Sequence, residues 1–234
     1  FGGYIMVKIT YHGHACIELN DGKYDIIFDP FITGNPVTKA DPNNLKPNAI
    51  LISHGHGDHL GDAINISKKT GALIIAPFEL ADFCQKQGAQ NIHPMHIGGS
   101  FNFDFGKVKL TQALHGSAFV TPDGTHYTGN PCGFIVYFGG KCFYFAGDTG
   151  LFGDMKTIGE NNDIDIAFLP IGDNFTMGPD DAIKASQMLR AKTVIPMHYN
   201  TWPLIEQNPE EFKNKLNQIG INCVVIPFNS SIEV

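Results

Sequence analysis

Ser53-His-Gly-His-Gly-Asp-His-Leu60 sets three histidines and an aspartate in six consecutive positions, directly after the apolar run Ala49-Ile-Leu-Ile52. Imidazoles and a carboxylate pressed together at the end of a buried strand must be desolvated, and the imidazoles repel once protonated. A divalent cation offsets that cost, because neutral imidazole and carboxylate are usual ligands of zinc and its neighbours. From an extended segment His54 and His56 point the same way, while Asp58 and His59 sit on the turn into a following helix. One short loop therefore faces two points. Four such side chains are more than one tetrahedral ion needs from a single loop.

Three later residues have the same placement. His115 ends the apolar segment 108–114, Asp148 follows 142–146, and His198 follows 194–197. Any one of them alone reads as an ordinary polar residue at a strand end; together they read as one constellation.

The periodicity around these positions predicts alternating strands and helices. Strands are expected at 7–10, 15–19 and 24–28, then at 49–53, with a helix from Asp58 or His59 to Thr70 closed by Gly71. A strand at 72–76 and a helix at 77–87, opened by Pro77 and closed by Gly88, complete the first half. The second half predicts strands at 101–104, 107–114, 133–138 and 141–146, the last two joined by Gly139-Gly140, with 121–130 as a loop. Strands at 165–169, 194–197 and 223–227 and helices at 179–190 and 209–219 follow. Two sheet-forming halves with helices outside them imply an α/β layered sandwich whose chemistry sits on loops at strand ends.

The chain has 234 residues, 43% hydrophobic and 17% charged, which suits one domain over 6–234. Met6 reads as a natural start, and 1–5 as a non-native extension. The net charge of -7 and the lack of a Lys/Arg cluster argue against nucleic acid as a partner. No apolar run has the length of a membrane span and no leader precedes the first strand, so a cytoplasmic location is expected. Five scattered cysteines without CxxC spacing read as buried, reduced thiols. The apolar loop segment Pro30-Phe-Ile32 is compatible with self-association into a homo-oligomer.

HxHxDH followed in order by a histidine, an aspartate and a histidine at strand ends resembles the metallo-β-lactamase superfamily, over residues 54–198. The resemblance implies a four-layer αββα sandwich with a dinuclear metal site: His54, His56 and His115 on one ion, Asp58, His59 and His198 on the other, and Asp148 bridging. Gly13-His-Ala-Cys16, 147–155, Leu169-Pro-Ile-Gly172, Asn174-Phe-Thr-Met177 and Met197-His-Tyr-Asn-Thr201 are further similar to a subfamily of uncharacterised metal-dependent hydrolases related to ascorbate-6-phosphate lactonase. That subfamily keeps a histidine at the place of His14, which implies a role for it beside Asp58 and Asp148 in catalysis.

The expected activity is metal-dependent hydrolysis of an ester, lactone or phosphodiester of a small molecule by a hydroxide bridging two ions, with Asp58 or Asp148 orienting it. Zinc is the first choice, manganese the second, and iron or nickel also suit the carboxylate-rich set. Tyr199, Asn200 and Thr176, in loops beside the constellation, are the expected substrate contacts. A di-iron oxidoreductase lacks an appended electron-delivering region, a nuclease lacks a basic arm, and a metal-holding scaffold would need a closed ligand sphere.

Overall fold

The computed structural model describes residues 6–234, so the expected extension at 1–5 lies outside the described residues. Strands β1 (Lys8–Gly13), β2 (Cys16–Asn20) and β3 (Asp25–Phe28) form an antiparallel meander, to which β4 (Ala49–Leu51), β5 (Leu73–Pro77) and β6 (Ile92–Met95) are added in parallel. The second sheet repeats the plan. β7 (Ser100–Phe103), β8 (Gly106–Gln112), β11 (Cys132–Phe138) and β12 (Lys141–Phe145) are antiparallel neighbours, and β13 (Ile166–Pro170), β14 (Thr193–Met197) and β15 (Asn222–Cys223) continue in parallel. β16 (Ser230–Glu233) crosses back to pair with β1, tying the C-terminus to the first sheet.

The sheets face each other across one apolar layer. Ile9, Tyr11, Ile17 and Phe28 from the first meet Phe134, Phe143 and Phe145 from the second, all buried. Phe28 and Phe145 stack with ring centroids 4.6 Å apart, a geometry worth about 0.5–1.5 kcal/mol beyond its area burial. On the outer face of the first sheet, Ile27, Ile50 and Ile74 pack under α2 (Ala63–Thr70) and α3 (Phe78–Lys86). α5 (Pro179–Leu189) and α6 (Pro209–Gln218) bury Ala182, Leu189, Phe212 and Leu216 on the other side, and α4 (Met155–Asn161) packs on α5. This is a four-layer αββα sandwich. The five cysteines are buried and free, and among the described residues no helix is long and apolar enough to cross a membrane.

Several expectations need correction. The helix expected from Asp58 to Thr70 is two: α1 (Gly57–Leu60) and α2, broken at Gly61-Asp62. Asp62 is withdrawn from the helix because its carboxylate accepts from Ile32 N (3.1 Å), Thr33 N (2.7 Å) and the Thr33 hydroxyl (2.7 Å). Gly61 makes the break with φ +44, and a Cβ there would meet Pro30 O at 2.4 Å and Phe31 Cα at 2.7 Å. The expected loop 121–130 begins with a hairpin, β9 (Ala118–Thr121) and β10 (Gly124–Tyr127), turned by Pro122-Asp-Gly124. The strand expected at 223–227 stops at Cys223, and Pro227, which lacks an N–H, lies beyond it. β6 escaped notice because Pro94 sits inside it, which an edge strand tolerates.

Parallel strands leave their C-terminal ends along one edge of the sandwich. β3 and β4 deliver Asp29 and Ser53 side by side, while β12 and β14 deliver Asp148 and His198 from the opposing sheet. The sheets close on each other where Cys132 N donates to Ser53 O at 3.0 Å. Gly147 permits this approach: at φ +61, a Cβ would meet Ser53 Cβ at 2.8 Å and Cys132 O at 2.9 Å.

Gly61→Ala is expected to destabilise the protein by about 2–4 kcal/mol, because backbone atoms that cannot move aside meet the new methyl. Gly57→Ala, in the same turn but with open space around its Cβ position, should change stability by less than about 0.5 kcal/mol. Urea unfolding of both variants checks the contrast, and equal midpoints would refute it.

Candidate metal centre

The expected ligand set converges on that edge. The ligating atoms of His54, His56 and His115 lie within 4.8 Å of one another, as do those of Asp58, His59, His198 and His14. In the first group, His54 Nε2 is 2.9 Å from His56 Nδ1, which is 3.3 Å from His115 Nε2. Two nitrogens on one tetrahedral zinc stand about 3.3 Å apart, given Zn–N bonds of about 2.0–2.1 Å. In the second group, His59 Nε2 and His198 Nε2 lie 3.6 and 3.9 Å from Asp58 Oδ2. Asp148 stands between them: Oδ1 is 3.2 Å from His59 Nε2, while Oδ2 is 3.1 Å from His198 Nε2 and 3.6 Å from His115 Nε2.

A divalent cation fits this set. His59 Nε2, His198 Nε2 and Asp148 Oδ1 are buried without a hydrogen-bond partner, an arrangement that costs free energy unless something else satisfies these lone pairs. His59 and His198 belong to the group whose ligating atoms lie within 4.8 Å of one another, and Asp148 Oδ1 is 3.2 Å from His59 Nε2.

The imidazoles are oriented by a residue that sequence reading missed. Asp29, fully buried at the end of β3, accepts from Ser53 N (2.7 Å), from the Ser53 hydroxyl (2.6 Å) and from His59 Nδ1 (2.8 Å). Because the Ser53 hydroxyl spends its one proton on Asp29, it accepts from His54 Nδ1 at 2.9 Å. His54, kept neutral by burial, therefore carries its N–H on Nδ1 and presents a bare Nε2 to the site, while His59 is held in the same orientation and offers its Nε2 to a cation once that nitrogen gives up its proton. The only signal in the sequence was an aspartate ending a strand at Phe28-Asp-Pro30.

His14 reaches the site from β1, as a resemblance alone had suggested. Its Nε2 lies 3.0 Å from Asp58 Oδ2 and its Nδ1 2.8 Å from Thr201 Oγ1. A carboxylate only accepts, so Nε2 donates and, in the neutral ring, Nδ1 accepts from Thr201. The ring is neutral: burial, then the charge of His198, lowers its pKa to about 3. His14 is fully buried behind Asp58 and touches the ligand set without entering the cleft. His12 is elsewhere, 2.7 Å from Glu18.

Charge divides the two groups. Burial pushes His54 well below the ordinary histidine value, with the His59 charge adding to it, and burial shifts His56 and His115 the same way. Burial also opposes the charged forms of His59 and His198, but Asp148 and Asp58 outweigh it. His59 is held well above its ordinary value and His198 is raised to about 9. The carboxyls of Asp148 and Asp58, despite their own burial, are held low by the facing histidines, His198 foremost for Asp148 and His59 for Asp58.

The expected substrate contacts do not line the cleft. Tyr199 is 3% exposed and packs in the core, its ring 5.8 Å from that of Phe228. Asn200 turns inward to accept from Gln207 N at 2.7 Å, and the Thr176 hydroxyl bonds Met177 O at 3.2 Å. The neighbouring Phe175, Trp202 and Leu204 line it instead. Left-handed backbone at Asp173, Asn174, His198 and Asn200 (φ +53 to +60) decides which side chains of these two loops turn inward, and nothing in the local sequence reveals it.

A family model described as a β-lactamase superfamily domain matches residues 24–199. A UPF0173 metal-dependent hydrolase of Desulforamulus reducens is 57% identical over 91% of this chain and 92% of its own length. One of Anoxybacillus flavithermus is 53% identical over 97% of this chain and 100% of its own. Among solved structures, a metallo hydrolase of the archaeon Ignicoccus hospitalis superposes with a TM-score of 0.88 at 36% identity, covering 98% of each chain.

Asp29→Asn keeps the size of the side chain and tolerates the local φ of +41 but replaces an acceptor by a donor. Zinc affinity, read by competition with a chromophoric chelator, should fall about 10–100-fold while the near-ultraviolet circular dichroism is retained. Unchanged affinity would remove Asp29 from this role.

Proposed function

The chain belongs to the β-lactamase superfamily, among its metal-dependent hydrolases, and from that premise we propose that it is a dinuclear enzyme cleaving an ester, lactone or phosphodiester bond of a small molecule. The observation that carries the reading is Asp148, a buried carboxylate whose two oxygens face histidines of both groups. On this reading His54, His56 and His115 hold one ion, Asp58, His59 and His198 the other, and Asp148 is shared. Zinc suits the three-imidazole set, and manganese, iron or nickel are accepted by the carboxylate-containing one. When bound, the ions supply a solvent nucleophile ionised near neutral pH and a Lewis acid for the substrate oxygen.

The chain's own residues do the rest. His14 and Thr201 fix the plane of the Asp58 carboxylate, whose side chain is 28% exposed and faces the cleft. Asp58, through the carboxylate oxygen that His14 does not hold, orients the attacking solvent and passes its proton towards the leaving oxygen. Asp29 and Ser53 hold His54 and His59 so that neither imidazole rotates as charge develops.

The histidine shifts predict an asymmetry in loading. At pH 7 the metal-free protein keeps His59 and His198 protonated and His54 and His56 neutral, so an ion entering the second group must displace protons. One step of zinc binding should release about two protons and the other almost none, and affinity at the proton-releasing site should rise with pH until His198 deprotonates at about 9. Calorimetry in two buffers of different ionisation heat measures this. A single equivalent per chain contradicts the dinuclear assignment, and equal release at both steps contradicts the asymmetry.

Chelator treatment should abolish turnover on a panel of lactones, carboxylic esters and phosphodiesters, and zinc or manganese should restore it. Full occupancy with no turnover on any of them, whichever metal is used, would overturn the hydrolase reading.

A further inference from the structure

We propose that the cleft selects a neutral carboxylic ester or lactone carrying an apolar group, in preference to a phosphodiester. The inference rests on the hydrolase reading and narrows it to one substrate class. The cleft measures about 590 Å³, within the range of small-molecule sites. Its floor is the ligand set and its rim is Phe175, Trp202 and Leu204. Among the described lining residues there is neither lysine nor arginine. A phosphodiester leaves charged oxygens outside the reacting bond, which enzymes commonly meet with arginine, lysine or backbone donors. Beyond its reacting group, a substrate in this cleft meets apolar side chains and no fixed positive charge of the lining.

The rim is built to stay apolar and outward. Phe175 is 52% exposed and Leu204, in the short 3-10 turn Pro203–Ile205, 69%, and the two line the same cleft as the ligand set from separate segments. Trp202 is anchored from behind by edge-on contact with His14, centroids 4.8 Å apart, and by Phe31 at 6.1 Å. Apolar surface grouped around a polar floor in this way marks the place where a ligand covers it. An ester or lactone satisfies both parts, its carbonyl at the floor and its chain against the rim. The reaction balances with water alone: the water oxygen bonds to the acyl carbon, the acyl C–O bond breaks with its electron pair on the alkoxide, and that oxygen takes up a proton. The products are a carboxylic acid and an alcohol, or one hydroxy acid from a lactone.

Trp202 is the chain's single tryptophan, so intrinsic fluorescence reports directly on the cleft, with or without metal. Metal-free protein titrated with 2-pentanone, 2-octanone and 2-decanone, neutral carbonyl compounds that cannot be hydrolysed, should give a saturable change. Affinity should rise about threefold to fourfold per buried methylene, and dibutyl phosphate should give none. In the zinc-loaded protein, kcat/KM should rise from 4-nitrophenyl acetate to butyrate to octanoate and exceed that for bis(4-nitrophenyl) phosphate. Phe175→Ala and Leu204→Ala should each lower the octanoate value about tenfold and flatten the dependence on chain length. A flat chain-length series, or preference for the phosphodiester in binding or turnover, overturns the inference even if the protein proves to be a hydrolase. Saturable ketone binding with no turnover of either class would instead overturn the hydrolase reading and leave the cleft's preference for neutral apolar ligands standing.

Discussion

One buried carboxylate disciplines the whole centre. Asp29 gathers three donors from the loop that begins at Ser53, and two of those bonds pass on to imidazoles in different ligand groups, His54 through the Ser53 hydroxyl and His59 directly. Without it, nothing selects the tautomer of either ring, and only one combination presents both Nε2 atoms to the same space. A histidine-rich loop is a poor metal site by itself; a histidine-rich loop clamped to a neighbouring parallel strand is a preorganised one. The clamp depends on β3 and β4 running side by side and ending together, which is a property of the sheet and not of the loop.

The two ligand groups lie within one cluster and yet differ in charge. The reason is the distribution of carboxylates: Asp58 and Asp29 both lie on the His59 side, and Asp148 is closer to His59 and His198 than to His115. Burial alone would neutralise all five rings. Where carboxylates crowd, the attraction between opposite charges in a desolvated pocket exceeds the burial penalty and the imidazolium persists. The same carboxylates later favour a cation, so in the metal-free protein protons occupy the more acidic half of the centre.

Much of this was legible in the sequence because ligands must be donors, and donors at strand ends stand out against apolar runs. HxHxDH, His115, Asp148 and His198 could be picked out as candidates without coordinates for that reason; the two strand-helix successions implied an α/β layered sandwich, and the αββα plan came from the resemblance. What stayed hidden depends on pairing across the fold. Asp29 looks like any aspartate before a proline until β3 is set beside β4. The break at Gly61-Asp62 was hidden by a continuous helical pattern, since nothing local reveals that Asp62 is needed by Thr33. On the rim stand Trp202 and Phe175 where Tyr199 and Thr176 were expected, because the backbone reverses at His198, Asn200 and Asn174.

That last error has a physical root worth following. His14, Asp29, His198 and Asn200 all have positive φ, between 41° and 58°, which costs non-glycine residues about 1–3 kcal/mol each and breaks strand alternation. The strain is held by one bond between the sheets, His198 N donating to His14 O at 2.7 Å, and by one within the first, the buried Tyr11 hydroxyl donating to the same carbonyl at 2.8 Å. Histidine, aspartate and asparagine are the side chains that best tolerate this conformation, and histidine and aspartate are also those that ligate metals. A strand that must end abruptly and present a ligand therefore meets both demands with one residue. The sharp turn that aims His198 at the centre is followed two residues later by another at Asn200, which carries Trp202 round to the rim. The placing of His198 and the shape of the cleft mouth are thus set by the same short run of strained backbone.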